Sequence, residues 1–314
     1  MIKNKRILVT GGAGFVGSNM VAALANDNEV TVIDNLSNVP DDRYIKEFSG
    51  INNFRFLKRD ITEERTFDDL PGFDLIVHLA ANSDVQKGSQ NPDIDLKQNI
   101  IGTRNVLDFV RKKSIPEMMF SSTSAVYGEA TVMPTRENYG PCKPISSYGA
   151  SKLADEGLIS AYSHYYGTRA SIFRFANVVG RHSTHGVIFD FIKRLRENPK
   201  TLDILGDGTQ AKSYIHVSDC VNAMIYVHER SKETDVFNLG NEGVTSVRKI
   251  ADMVVKSLDL KDVKYNFTGG FGGRGWKGDV KLAQLATSKV SAMGWKNKYG
   301  SDDAVKISID EVKG

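Results

Sequence analysis

The chain has 314 residues, of which 41 are basic and 38 acidic, for a formal net charge of +3. That length supports one large domain or two smaller ones around a sizeable core, and a near-balance of charge spread along the sequence argues against a polybasic tail or a nucleic-acid stripe. The two cysteines, Cys142 and Cys220, lack the spacing of a zinc site or a disulfide framework. No apolar run is long enough to cross a bilayer, and the run behind the basic N-terminal residues breaks at Gly11. The expectation is a soluble, cytoplasmic enzyme with no metal, no membrane anchor and no nucleic-acid partner.

Residues 6–10 form a short apolar run, 19–25 carry a helical pattern, and 29–33 are a second run rich in β-branched residues. The alternation continues through strands at 54–57 and 75–79, a helix near 101–113, a strand at 117–121, a helix from about 147 to 166 ended by Gly167, and a strand at 170–175. Strands that are apolar throughout, alternating with helices, imply a parallel sheet covered on both faces. Beyond Asn177 the rhythm loosens, with helices near 187–197 and 217–229 and short strands near 202–205 and 213–216. A strand at 236–239 is expected to rejoin the main sheet; a helix from Ser246, a strand near 263–267, the glycine-rich stretch GGFGGRG and an amphipathic helix from Ser301 follow. The fold class is therefore α/β, a Rossmann-type doubly wound parallel sheet. Residues 1–176, with about 210–241 returning to them, make the dinucleotide-binding domain, and 177–209 and 242–314 a smaller interleaved substrate-binding lobe.

Gly11, Gly14 and Gly17 lie between the first strand and the first helix, where a tight turn lets backbone amides approach a pyrophosphate at a helix N-terminus. An ordinary glycine-rich turn is the alternative. Asp34 ends the second strand, where a carboxylate can accept hydrogen bonds from both ribose hydroxyls and repels a 2′-phosphate. NAD is thus favoured over NADP, and Asn35 supplies no compensating cation. Asp60 and Ile61 follow the third strand where an adenine would be bordered.

Tyr148 and Lys152 stand four apart in SSYGASK, on one face of the helix beginning near Ser147. An ammonium about 5 Å from the phenol, at an effective dielectric of about 20, would favour the phenolate by roughly 3 kcal/mol, lowering its pKa by about two. Alone, this spacing fits an exposed helical pair equally well. Ser121, Ser122 and Thr123 change the balance, because they end a strand at the carboxyl edge where open α/β sheets place their ligands. A hydroxyl there can bridge a substrate oxygen and the Tyr148 phenol.

With TGGAGFVGS, DNLS, HLAA at 78–81, NIIGTRNVL, SSTSAVYG, YGASK, RFANVVG, GDGTQ and GWKGD in order over nearly the whole chain, the sequence resembles the extended short-chain dehydrogenases, and most closely their UDP-glucose 4-epimerase branch. The resemblance implies bound NAD bordered by Gly11, Gly14, Phe15, Val16, Asp34, Asn35, Asp60, Ile61, Leu79, Ala80, Ala81, Asn99, Ser121, Tyr148 and Lys152. It implies Tyr148 as acid and base, Lys152 on the phenolate and the nicotinamide ribose, and Thr123 as hydroxyl partner. Related dehydratases carry Asp-Glu after the threonine and related decarboxylases a glutamate nearby, whereas this chain reads Thr123-Ser124-Ala125-Val126-Tyr127. Without that carboxyl group a simple redox cycle on carbon 4 of a UDP-sugar is favoured, with another nucleotide-sugar dehydratase, reductase or dehydrogenase, or a non-catalytic NAD-binding scaffold, as alternatives.

For the substrate, the resemblance implies contacts from Thr123, Asn177, Val187 and Ile188, with Arg274 on the phosphates and Lys212 standing where relatives carry an arginine. A solvated loop position is the alternative for Arg274. Ala283 falls near the position where a bulky side chain excludes N-acetyl sugars, which suggests a roomy pocket or simply a small residue packed under a neighbour. His182 and His185 lack a further ligand at metal spacing, and a loop beside the sugar phosphate is the preferred reading. A homodimer through the 101–113 and 147–166 helices is expected.

Overall fold

A computed structural model of the chain describes residues 2–39, 41–276 and 278–313; Lys277 of the Gly-Trp-Lys-Gly-Asp segment lies outside them. Short runs that are apolar at successive positions bury both faces of a strand. Seven of them pair in parallel: β1 (Arg6–Thr10), β2 (Glu29–Asp34), β3 (Phe54–Lys58), β4 (Leu75–His78), β5 (Glu117–Thr123), β6 (Arg169–Phe175) and β7 (Asp235–Leu239), in the order β7-β6-β5-β4-β1-β2-β3. The chain leaves β1 toward β2 and β3, then returns to β1's other side as β4. Thr10 lies beside His78 across this reversal, and in open α/β sheets the crevice beyond such a reversal is where ligands sit.

The principal helices are α1 (Phe15–Leu24), α2 (Gly102–Lys113), α3 (Ser147–Tyr166), α4 (Val187–Glu197), α5 (Val217–Arg230), α6 (Val247–Ser257) and α7 (Ser301–Lys313). Alternate residues of each strand point to opposite faces. Ile7, Val9, Val32 and Val77 therefore pack with Met20 and Leu24 of α1 and Val221 and Met224 of α5. Leu8, Ile76, Met118 and Phe120 pack with Val106 and Phe109 of α2 and Ile159 of α3 on the other side. A separate core joins α4, α6 and α7 through Phe191, Leu195, Ile250, Val254, Val305 and Ile309.

In the smaller lobe, residues 201–204 pair with 264–267, 211–212 lie between 245–246 and 282–283, and 214–216 pair with 177–179. The return expected from about 210 thus begins later: these short strands lie outside the main sheet, and α5 and β7 are the parts that rejoin it. Several short local features escape the periodicity, three of them in a row before α2. A helix at Val85–Gln90, a turn of helix at Pro92–Asp95 and a π-helical segment at Leu96–Ile101 precede α2, all too short or too polar to show a helical stripe.

Helix α3 is bounded by its sequence. The Ser146 hydroxyl accepts from the Gly149 N–H at 3.1 Å, and Gly167, at φ +75°, ends it in the left-handed region.

At Gly17 a Cβ would lie 2.0 Å from the Gly11 carbonyl oxygen, so α1 docks on the turn only because that atom is missing. Gly17→Ala should cost at least about 1–3 kcal/mol through the forced backbone shift; denaturant unfolding of the purified variant measures it, and an unchanged midpoint would contradict this packing.

Candidate active site

Two adjoining cavities open at the carboxyl ends of the strands, one of about 280 Å³ and one of about 580 Å³. Phe15, Ser83, Thr123, Tyr148, Val178 and His185 border both, so Tyr148 and Thr123 stand at the junction.

The first cavity runs over the glycine turn. Gly11 adopts φ +72°, and a Cβ there would lie 2.6 Å from the Ala80 nitrogen, so β1 and β4 can meet closely only around a glycine. Asp34 reaches back to this turn: its carboxylate accepts from the Ala13 N–H at 3.0 Å and the Leu36 N–H at 2.8 Å. Burial raises its pKa, against the lowering effect of these amides and that of Gly14. Gly11, Gly14, Phe15, Val16, Asp34, Asn35, Ile61, Leu79, Ala80, Ala81, Ser121, Tyr148 and Lys152 all border the cavity.

Two of the expected cofactor residues do not. Asp60 accepts from Asn35 Nδ2, itself in the lining, at 2.9 Å and from the Thr62 N–H at 2.8 Å. Asn99 is fully buried behind the site, donating to Ser151 Oγ at 2.8 Å and accepting from the Asn82 N–H at 2.8 Å. Arg59, Ser37, Asn38, Gln98 and Thr184 border the cavity without having been foreseen; nothing in their local sequence separates them from other loop residues.

Tyr148 is set by α3's first turn. A Cβ on Gly149 would lie 2.6 Å from the Ala125 carbonyl oxygen, so the helix start rests directly on the turn that follows β5. Thr123 caps that turn, its Oγ1 accepting from the Ala125 N–H at 3.1 Å, and its hydroxyl lies near enough to the Tyr148 phenol to favour the phenolate. Lys152 is 1% exposed, with Nζ 4.4 Å from the centre of the Phe120 ring and no hydrogen-bond partner among the described residues.

The expected drop of the tyrosine pKa by its lysine is not what the protein alone provides. Desolvation dominates: it pushes Tyr148 up to about 12, against the Thr123 hydroxyl, and Lys152 down to about 8, against nearby carboxylates. In a dry site the phenolate and the ammonium are each costly until something charged completes the arrangement. His78 is a buried neutral ring, its pKa taken down to about 3 by burial and by Lys152; it is held between Thr10 Oγ1 at 2.7 Å and Thr103 Oγ1 at 3.0 Å.

Of the substrate residues expected from sequence, Thr123, Asn177, Val187 and Lys212 border the larger cavity, as does Ala283. Ile188 does not: it is 5% exposed and packs in the core beneath α4, because its neighbour Val187 occupies the helix face toward the cavity. Arg274 does not either; its guanidinium pairs with Glu129, held there by the glycine-rich loop. Lys212 is bound to Asp279 at 2.6 Å. Arg194, unforeseen, borders the cavity and donates to the Asp203 carbonyl oxygen at 2.7 Å. His182 lies against Tyr44, ring centres 4.1 Å apart, with Nδ1 2.9 Å from Ser18 Oγ, while His185 faces both cavities. Among the described residues no group of three or more His, Cys, Asp or Glu could hold a metal ion, and no helix is long and apolar enough to cross a membrane.

Residues 7–240 match the NAD dependent epimerase/dehydratase family. The chain belongs to that family. It is 31% identical over 314 residues to a putative UDP-glucose 4-epimerase of Methanocaldococcus jannaschii, covering 98% of each chain. Among solved structures it resembles a UDP-galactose 4-epimerase (TM-score 0.86, 36% identity, 98% of each chain). It also resembles the dTDP-glucose 4,6-dehydratase of Streptomyces venezuelae with NAD bound (TM-score 0.87, 25% identity, 98% of this chain and 96% of that one).

The family is NAD-dependent, and the residues fit the cofactor: a turn that only glycines permit, a carboxylate at the end of β2, and an unpartnered buried ammonium facing the cavity. Asp34→Ala should weaken NAD binding about ten- to a hundredfold, the effect of losing charge-assisted hydrogen bonds worth about 1.5–3 kcal/mol, and should narrow the preference over NADP. Calorimetric titration with both dinucleotides tests this, and an unchanged NAD affinity would remove Asp34 from the site.

Proposed function

We propose that this protein is a UDP-hexose 4-epimerase that interconverts UDP-glucose and UDP-galactose through a 4-keto sugar. The observation that carries the reading is the chemistry at the junction of the cavities: Tyr148 and Thr123 meet there, and the residues after Thr123 are Ser124 and Ala125. Of the three carboxylates in the wall of the larger cavity, two are engaged elsewhere and the third, Asp190, belongs to α4 rather than to the end of β5. Asp84 caps the helix at Val85–Gln90, accepting from Gln86 and Lys87, and Asp279 holds Lys212. Elimination of water from the sugar needs a further acid or base, and the two positions that follow Thr123 carry none.

In this mechanism the Thr123 hydroxyl holds the sugar's 4-oxygen against the Tyr148 phenol. Tyr148, as phenolate, takes the 4-hydroxyl proton while the hydride on carbon 4 departs; Lys152 steadies the phenolate. When bound, NAD supplies the place where hydride is held and from which it returns, together with a positive charge beside the phenol. The keto sugar turns over while Asn177, Val187 and Lys212 keep the nucleotide end in place, and Tyr148 then returns its proton to the oxygen as hydride reaches the opposite face. Ala283 leaves room for an N-acetyl group.

Incubation with UDP-glucose should give UDP-galactose with no net accumulation of NADH, and UDP-N-acetylglucosamine should also turn over. Tyr148→Phe should reduce the rate at least about a thousandfold, in line with loss of a general acid–base group, while NAD stays bound. Formation of a dehydrated sugar, or near-normal activity of the variant, would overturn the reading. The exposed Tyr165 and Tyr166 of α3 and Leu96 and Ile101 before α2 support the homodimer we propose on these faces, and sedimentation at twice the chain mass checks it.

A further inference from the structure

Three carboxylates lie close enough to Lys152 to raise its pKa: Asp155, Glu156 and Asp95. Two are committed. Glu156 binds Arg174, with Nη2 at 2.6 Å from Oε2 and Nε at 3.0 Å from Oε1, and also accepts from the Ser122 hydroxyl. Asp95 accepts from Ser147 Oγ at 2.6 Å and Asn82 Nδ2 at 2.8 Å.

Asp155 is different. It is fully buried, and neither of its oxygens has a hydrogen-bond partner of good geometry among the described residues; the Thr103 hydroxyl lies near enough to favour its charged form without completing such a bond. Lys152 Nζ is in the same condition. Three residues apart on α3, the two side chains share one face of the helix, yet they stand too far apart for a direct ion pair. An unpaired buried charge is strongly unfavourable, whereas two opposite ones facing each other through a low-dielectric interior support each other.

We propose that Asp155 is a positioning residue for the catalytic lysine: the buried counter-charge that keeps Lys152 in its ammonium form while Tyr148 exchanges its proton. Resting on the epimerase reading only for the reaction it serves, the assignment concerns the charge state of one lysine. The groups around the pair are consistent with it. His78 of β4 is neutral, Glu156 is neutralised by Arg174 of β6, Asp95 is held by amide and hydroxyl donors, and Tyr148 is protonated at rest. Desolvation raises the Asp155 pKa and lowers that of Lys152, and each charge opposes the other's shift, so the two ionised forms support each other.

The sign of the effect follows. Removing the carboxylate's charge removes the largest influence that raises Lys152, so the lysine loses its proton at lower pH. The test uses NAD-loaded protein carrying lysine labelled with carbon-13 at Cε, with the Lys152 resonance assigned by its loss in Lys152→Met. In Asp155→Asn, Lys152 should titrate at least about one pH unit lower than in the parent, and Asp155→Glu should restore most of the difference. The basic limb of kcat should move the same way, with KM for the sugar little changed. Should Asp155→Asn fail to fold, Thr103→Val, which removes the hydroxyl that favours the ionised acid, should shift Lys152 in the same direction by less. An unchanged Lys152 titration in a folded Asp155→Asn, or in Thr103→Val where that variant stands in for it, would overturn the proposal whatever the activity. Absence of epimerase activity with the expected titration would instead count against the epimerase reading alone.

Discussion

The structure depends on the contact between the start of α3 and the carboxyl end of β5. Tyr148 lies in the helix's first turn, and Thr123 ends the strand. Their hydroxyls come near each other because Gly149 lets the helix rest on the Ala125 carbonyl, where any side chain would hold it off. Ser146 fixes where the helix begins, and Thr123 caps the turn on the other side. A helix starting one residue later would rotate Tyr148 by about a hundred degrees around its axis, away from the cavity. The reacting geometry thus comes from two caps and one missing Cβ.

Around that contact the sheet does two things at once. Its reversal between β1 and β4 opens the crevice in which the glycine turn and Ala80 nearly touch, and its packed faces dry the region behind. Dryness is the electrostatic theme of the site. It leaves Tyr148 protonated at rest, holds Lys152 near the edge of losing its proton, and turns His78 into a neutral spacer. A site so far from water responds strongly to any charge placed in it, whether from a cofactor or from a carboxylate of the protein itself.

The second cavity works on different terms. Of its two cationic side chains, Lys212 is paired with Asp279, whereas Arg194 donates to the Asp203 carbonyl oxygen. A diphosphate entering here would compete with these acceptors, so its binding would include exchange of partners. Small residues, Ala125, Ala130 and Ala283, share its wall with large ones such as Phe15, Phe191, Tyr214 and Trp276.

What the sequence determined by itself is what depends on local spacing. The strand–turn–helix glycines, the carboxylate ending β2, the four-residue step from Tyr148 to Lys152 and the span of α3 from about Ser147 to Gly167 are all read from neighbours along the chain. A backbone's hydrogen-bonding and steric rules act over a few residues, so these features need no fold to be seen. Tertiary structure alone decided which way side chains point and what surrounds them. Asp60 and Asn99 lie in site segments yet turn toward Asn35 and Ser151. Ile188 takes the core side of α4 where Val187 takes the cavity side, and Arg274 is drawn to a glutamate far away in sequence. The pKa of Tyr148 followed the same rule: sequence spacing could suggest a nearby ammonium, but only the packed fold supplies the desolvation that raises it.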